Sequence, residues 1–153
     1  HYPAIAPIIK KWWKLRYTLI PYIIAQSRKA ISSGAPLLQA LIFHHPEDKL
    51  CWHIDDEYYF GNDFLVAPVM NSENRRDVYL PEGQWVNFFT GEVLEGGRWL
   101  KDLDVPLDEM PVYVRQGATI PVYPDEVECT DEMDLSKSAE LHIDNHFKGI
   151  FKD

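Results

Sequence analysis

The chain has 153 residues, of which 46% are hydrophobic and 13% aromatic, so it has enough apolar material for a folded domain and is not of the disordered class. Its net charge of −9 is divided unevenly, because residues 1–46 contain six basic side chains and no acidic one. The basic residues are interleaved with Trp12, Trp13 and Tyr17 and form no continuous patch, which disfavours nucleic acid as a partner.

Membrane, cofactor and disulfide-rich classes are also disfavoured. No apolar run has the length of a membrane span, and the N-terminus lacks the layout of a signal peptide, so no membrane partner is expected. The two cysteines, Cys51 and Cys129, are far apart and match no metal or redox spacing. We therefore expect no disulfide framework, no metal and no cofactor.

Residues 5–33 are predicted to form one long helix. Pro7 suits a first helical turn, and Gly34 followed by Pro36 is a stop signal. Pro21 removes a backbone donor inside this run, so we expect a kink there or a division into two helical segments. Apolar residues cover more than one stripe of the helix, which predicts burial on two sides.

The next segment, residues 37–43, is apolar almost throughout, which is typical of a central strand in a parallel sheet. One helix and one such strand cannot bury this much apolar surface by themselves. We therefore interpret residues 1–59 as the C-terminal remnant of a (β/α)₈ barrel, and we expect the chain to be a piece of a larger protein.

After residue 60, short apolar runs alternate with glycine-containing turns. The predicted strands are 64–69, 77–80, 85–89, 92–95, 98–101, 111–115 and 119–122. Strands of this length and spacing favour an antiparallel β-sandwich over residues 60–124. The expected fold class is thus an α+β fragment, with a long N-terminal helix and one buried barrel strand followed by the sandwich.

The last part of the chain, residues 125–153, begins with an acidic stretch. Residues 125–138 are predicted to be a linker or an exposed loop. Residues 139–151 are expected to add a final hairpin that turns near Asp144 and Asn145, or to begin a distal domain.

Several phrases occur in a fixed order and carry a resemblance to a known family. They are Leu15–Tyr22 with its internal proline, Gly34–Phe43, Phe60–Val69, Leu80–Trp85, Thr90–Glu92 and Pro111–Pro121. In this order and at these gaps they resemble the region just after the catalytic barrel in glycoside hydrolase family 31, the retaining α-glucosidases and α-xylosidases. Each phrase alone is weak, whereas the ordered set covers roughly two-thirds of the chain.

The resemblance implies hydrolysis of α-glucosidic or α-xylosidic bonds of oligosaccharides with retention of configuration, which uses two carboxyl groups. In the family both groups are aspartates in earlier barrel motifs, and these motifs have no counterpart here. No catalytic residue is therefore assigned, and the chain alone is expected to be inactive. The acids of Asp55–Glu57, together with Asp102 and Asp104, are interpreted as solvated loop residues.

The C-terminal end of the predicted barrel strand is the segment His44–Asp48, and active sites of such barrels lie at that end. His44 or His45 is either a residue on the rim of a sugar pocket or a structural loop histidine held by backbone groups, and the structural role is favoured. A zinc site formed by these histidines with Cys51 and His53 is disfavoured, because the spacing matches no common zinc pattern.

Four aromatic residues of the sandwich region suggest either a sugar-stacking platform or a core, and strand spacing favours the core. They are Trp85, Phe88, Phe89 and Trp99.

Two functions remain open: a structural C-terminal part of a retaining α-glycosidase, or a free-standing β-sandwich module that binds carbohydrate or protein. The apolar character of residues 8–43 favours the first. Its expected partners are the rest of the barrel, the oligosaccharide substrate, and further copies of the chain through exposed barrel surface.

Overall fold

The computed structural model describes residues 5–150, which divide into two compact units. Residues 5–34 and 119–142 form the first unit, which we call the helical unit. Residues 35–118 and 143–150 form the second, which we call the sandwich unit. No helix in this part of the chain is long and apolar enough to cross a membrane.

The helical unit begins with helices α1 (Ala6–Thr18) and α2 (Ile20–Ser33), which meet at Leu19. Pro21 lies in the first turn of α2, where the missing N–H breaks no helical hydrogen bond, so a new helix starts there. Gly34 ends α2 in the left-handed region with φ 75°. The predicted division near Pro21 and the predicted stop at Gly34 are confirmed.

The predicted burial of these helices on two sides is wrong for this structure. Leu19 and Tyr22 are buried, whereas Ile9, Trp13 and Ile31 are exposed, Ile31 to 86%. The sequence pattern shows how much of the helix surface is apolar, but it does not show whether residues of this chain bury that surface. Within the described part of the helical unit, only one face of the helices is well covered.

The sandwich unit contains eight strands in two antiparallel sheets. The strands are β1 (Leu38–Ala40), β2 (Tyr58–Phe60), β3 (Phe64–Val66), β4 (Arg75–Leu80), β5 (Gln84–Asn87), β6 (Val93–Glu95), β7 (Arg98–Asp104) and β8 (Val112–Arg115). One sheet has the order β1-β2-β3-β8-β5-β6, and β4 pairs with β7 in the other. Every run predicted between residues 64 and 115 contains a strand, whereas β2 was not predicted.

The core of the sandwich unit combines residues from both sheets. Val78 and Leu80 of β4 form one buried apolar cluster with Leu65 of β3 and Trp85 of β5. The indole N–H of Trp85 donates to the carbonyl of Pro81 at 2.8 Å, so this buried polar atom is satisfied. Burial of one such large apolar side chain contributes about 1.5–3 kcal/mol. The predicted antiparallel sandwich is confirmed in this form.

The predicted buried parallel strand at residues 37–43 is wrong for this structure. Only Leu38–Ala40 forms a strand, and it pairs antiparallel with β2 at the edge of the larger sheet. Leu41–Phe43 turns into a 3₁₀ helix, which buries Leu41 but leaves Leu38 and Phe43 exposed. A continuous apolar run predicts that both faces of the segment are buried by neighbouring elements. The described residues of the sandwich unit pack against only one face.

The helical unit is completed by a second pair of antiparallel strands, β9 (Thr119–Val122) and β10 (Ala139–His142). The backbone N–H of Tyr123 donates to the carbonyl of Thr18 at 2.8 Å and ties this pair to the end of α1. Since β10 pairs with β9, residues 139–150 do not form the predicted final hairpin with a turn near Asp144.

The acidic stretch of the helical unit is exposed, as predicted, and contains two short 3₁₀ helices at Thr130–Glu132 and Leu135–Lys137. It faces the basic helix α1, because Lys14 Nζ lies 2.6 Å from Glu126 Oε1. Part of the charge asymmetry of the sequence is thus neutralised by a surface ion pair, which contributes little to stability.

Candidate functional site: the rim loop and two buried networks

The segment that the sequence placed at the end of a barrel strand is a short ordered loop of the sandwich unit. We call residues 44–48 the rim loop. It begins with a turn in which the backbone N–H groups of His44 and His45 both donate to the Leu41 carbonyl, at 3.1 and 3.0 Å. It ends at Asp48, whose Oδ1 accepts from the N–H of Leu50 at 3.0 Å and caps the next 3₁₀ helix.

The first buried network connects the rim loop to strands β2 and β8. His45 Nε2 lies 2.8 Å from Tyr59 Oη, and Arg115 Nη2 donates to the same hydroxyl oxygen at 3.0 Å. His45 is 9% exposed and Tyr59 is fully buried. The guanidinium of Arg115 lies over the rings of Tyr59 and Trp85, at 5.2 and 5.1 Å from their centroids.

His44 belongs to the same network through its ring. The imidazole stacks on Tyr59 with ring centroids 4.0 Å apart, and its buried Nε2 makes no hydrogen bond. Burial and then the positive charges of Arg115 and His45 lower the pKa of His44 to about 4. His44 is therefore neutral at physiological pH and packs as an aromatic group.

The far end of the rim loop is held by a second contact with the sandwich. Tyr79 of β4 donates its hydroxyl proton to Asp48 Oδ2 at 2.6 Å. Burial opposes ionisation of Asp48, but the hydrogen bonds from Tyr79 and from the N–H of Leu50 outweigh it, so the pKa of Asp48 is lowered. Asp48 is thus an ionised structural acceptor.

The second buried network corrects the interpretation of Glu57 as a solvated loop acid. The Glu57 carboxyl is 0% exposed, and its Oε1 accepts from the N–H of Tyr79 at 2.8 Å and lies 3.4 Å from Arg76 Nη2. Its second oxygen, Oε2, is buried and has no hydrogen-bond partner. Burial raises the pKa of Glu57 to about 7, against the lowering effects of the Tyr79 N–H and of Arg76.

Arg76 is the centre of this second network. Its side chain is 5% exposed, and Nη2 also lies 3.1 Å from Asp56 Oδ2. The remaining N–H groups donate to the backbone carbonyls of Asp56, Pro68 and Asp77. The guanidinium therefore joins the segment before β2, the segment after β3 and strand β4 itself.

Neither network has the geometry of a glycosidase site. The Glu57 carboxyl has no exposed surface and cannot touch a sugar, and Asp56 is bound to the same arginine. Asp102 is exposed and makes a two-point ion pair with Arg75, with N–O distances of 2.6 and 2.7 Å. Glu57 and Asp56 are thus engaged with Arg76, and Asp102 with Arg75, whereas a retaining mechanism needs one carboxylate free to attack the sugar and one acid free to protonate the leaving oxygen.

The aromatic residues are mainly core, as favoured from the sequence. Trp85 and Phe88 are fully buried, so neither is available as a sugar platform. Trp99 is 36% exposed, but it packs on Tyr79 at 5.2 Å and lies beneath the ammonium group of Lys101 at 4.6 Å.

No metal centre is evident in the described residues. Between residues 5 and 150, no three histidine, cysteine, aspartate or glutamate side chains are arranged to hold an ion. Cys51 is buried and Cys129 is exposed, and both are free thiols.

Sequence reasoning missed the three residues that organise these networks, Tyr59, Arg76 and Arg115. The one available signal was a charged residue within or beside an apolar strand, as at Arg76 before Val78–Leu80. A buried arginine needs acceptors for all the N–H groups of its guanidinium. Its position in the sequence therefore predicts a hydrogen-bond network but does not identify the partner residues.

Residues 34–120 match the family described as "Glycosyl hydrolase family 31 C-terminal domain". α-Glucosidase 2 of Bacillus thermoamyloliquefaciens is 34% identical over 146 residues, which are 95% of this chain and 17% of that protein. An α-xylosidase of Saccharolobus solfataricus is 37% identical over 82% of this chain and 17% of its own length.

A solved structure gives the same correspondence in three dimensions. The dextranase of glycoside hydrolase family 31 from Flavobacterium johnsoniae, complexed with isomaltotriose, superposes with a TM-score of 0.81 and 34% identity. The match covers 86% of this chain and 16% of the dextranase. The chain thus spans about a sixth of the length of these relatives.

Proposed function

Because this chain belongs to glycosyl hydrolase family 31, we propose that it is the C-terminal part of a retaining α-glycosidase that hydrolyses α-glucosidic or α-xylosidic bonds of oligosaccharides. The observation that carries the proposal is the family match over residues 34–120, combined with relatives about six times as long. The chain itself has a structural role in this enzyme.

The chemistry is assigned to the part of the enzyme outside this chain. A retaining mechanism needs a nucleophilic carboxylate and an acid about 5–5.5 Å apart on either side of the scissile bond. The burial of Glu57 and the ion pair of Asp102 argue against such a role for either acid. Both catalytic carboxyls are therefore proposed to come from earlier strands of the parent barrel.

The structural role is to cover and brace that barrel. In this proposal α1 and α2 belong to the barrel, and the sandwich unit, which begins at residue 35 and includes β1 and β2, is the proximal sandwich. The predicted boundary at residue 60 therefore moves to residue 35, and the acidic linker is limited to residues 125–138, because residues 139–142 form β10. The sandwich unit has exposed large apolar side chains in and after β1, which supports the proposal that this surface packs against another part of the parent enzyme. They are Leu38, Phe43, Leu50 and Trp52. In the isolated chain the same surface is expected to cause self-association.

A hydrolysis assay tests this proposal. The purified chain should release no detectable aryl group from aryl α-glucosides or aryl α-xylosides, whereas the intact parent enzyme should cleave at least one of the two. Turnover by the purified chain would refute the structural role. An intact parent protein that cleaves neither substrate nor any α-linked oligosaccharide would refute the proposed enzyme.

A further inference from the structure

We propose that Arg115 and Tyr59 are positioning residues that hold the rim loop through a neutral His45. We call Arg115, Tyr59 and His45 the relay. Its existence does not depend on the proposed function. Only its consequence for catalysis, that the rim loop borders the sugar pocket of the parent enzyme, rests on that proposal.

The direction of the hydrogen bonds in the relay follows from its donors. A guanidinium can only donate, so Tyr59 Oη accepts the bond from Arg115 Nη2 at 3.0 Å. The tyrosine hydroxyl then has one proton left, and the atom at 2.8 Å is His45 Nε2. The tyrosine oxygen could accept a second bond, but Arg115 Nη2, which is also a donor, lies only 3.5 Å from His45 Nε2. This favours Nε2 as the acceptor and places the imidazole proton on Nδ1, the nitrogen 4.0 Å from Glu47 Oε1.

The packing around Tyr59 makes the relay rigid. Tyr59 has no exposed surface, and its ring lies between the stacked imidazole of His44 and the indole of Trp85, whose centroids are 4.0 and 6.0 Å away. Burial raises the pKa of Tyr59 above its usual range, so the hydroxyl keeps its proton. The position of this hydroxyl is therefore fixed by the core, and it fixes His45 in turn.

Protonation of His45 conflicts with every polar group that faces it from the sandwich. An N–H on Nε2 would point at the hydroxyl of Tyr59 and at Arg115 Nη2, which is 3.5 Å away. Within the loop, Glu47 and Asp48 favour protonation. Burial and then Arg115 dominate, so the pKa of His45 is lowered. The relay is complete at neutral pH and is lost in acid.

Replacing Tyr59 with phenylalanine tests the relay in the full 153-residue chain, because it removes the shared oxygen and keeps the ring. In the wild type, nitrogen NMR of the imidazole should find His45 protonated at Nδ1 and unprotonated at Nε2. In Tyr59→Phe, the preference of His45 for the tautomer protonated at Nδ1 should weaken, and exchange of the His45 and Asp48 amide protons should accelerate roughly tenfold. The matched control is Tyr58→Phe, which removes a neighbouring hydroxyl outside the relay and should leave both signals unchanged.

A second variant separates the relay from a general loss of folding. The side-chain oxygen of His45→Gln accepts the bond from Tyr59 but cannot be protonated in this range. The variant should keep slow amide exchange in the rim loop and lose the acid-induced acceleration seen in the wild type. A wild-type His45 protonated on Nε2 at neutral pH, or a His45→Gln chain that still opens in acid like the wild type, would overturn the relay.

Kinetics of the intact parent enzyme test the consequence for catalysis. Tyr59→Phe should lower kcat/KM several-fold, and His45→Gln should flatten the acid limb of the kcat/KM profile. Unchanged kinetics in Tyr59→Phe, with the NMR result as expected, would overturn the place of the rim loop at the sugar pocket and leave the relay standing. Absence of any glycosidase activity in the wild-type parent would instead refute the proposed function.

Discussion

At about pH 8, where most Glu57 is ionised, replacing Arg76 with alanine is expected to lower the free energy of unfolding by about 3–5 kcal/mol, because it leaves the buried carboxylate without its cation. The guanidinium also supplies donors to the carbonyls of Asp56, Pro68 and Asp77, and these acceptors lose their partners in the variant. Urea unfolding, at a concentration at which the chain is monomeric, measures this difference.

The neighbouring Arg75 provides the matched control. It pairs with Asp102 at 2.6 Å, but the two side chains are 45% and 73% exposed. An exposed ion pair of this kind contributes little to stability, so Arg75→Ala should have a small effect. If the two alanine variants lost equal amounts of stability, the second buried network would have no special importance for the fold.

Replacing Glu57 with glutamine is expected to remove the loss of stability that the wild type shows as the pH rises. Burial raises the folded-state pKa of Glu57 from 4.5 to about 7, so its contribution is fully present below about pH 4.5 and is lost as the pH rises through about 7. The stability of Glu57→Gln relative to the wild type should therefore improve by about 2 kcal/mol between about pH 5 and about pH 8. The histidines are common to both proteins, and their titration cancels in this difference.

Unfolding curves at several pH values test the sign of this change. Asp102→Asn is the control, because the ion pair with Arg75 lowers the pKa of Asp102 and keeps it ionised throughout this range. Its stability relative to the wild type should not vary between about pH 5 and about pH 8. A Glu57→Gln difference as flat as that of Asp102→Asn would show that Glu57 ionises as an ordinary surface acid does.

The features that the sequence predicted well are those determined by neighbouring residues. Pro21 divides the helix and Gly34 ends it through their own backbone preferences. Such signals lie within a few residues and need no knowledge of the tertiary fold. The family match over residues 34–120 shows that the resemblance to the family was also readable from the sequence.

The networks could not be predicted because their partners are distant in sequence. Arg115 lies 70 residues from His45, and Arg76 lies 19 residues from Glu57. Which side chains meet across the sheets depends on strand register, which short strands specify only after folding. In the same way, Asp55–Glu57 has the composition of a solvated turn. The burial of Glu57 depends on its pairing with Arg76, which only the folded structure brings close to it.

The prediction of a buried parallel strand at residues 37–43, where the structure has the edge strand β1, was wrong for a different physical reason. An unalternating apolar run indicates that cover is needed but does not say which molecule supplies it. In the described chain, Leu38 and Phe43 remain exposed, and we attribute their cover to the parent barrel. The same reasoning applies to Trp13 and Ile31 on the helices.

The central claim is that this chain braces a retaining α-glycosidase and contributes no catalytic carboxyl. Trapping the covalent glycosyl-enzyme of the intact parent with an activated fluoroglycoside, followed by proteolysis and mass spectrometry, locates the nucleophile directly. We predict that the sugar label lies on an aspartate outside residues 1–153. A label on any acid of this chain, such as Asp55, Asp56 or Asp104, would contradict the account.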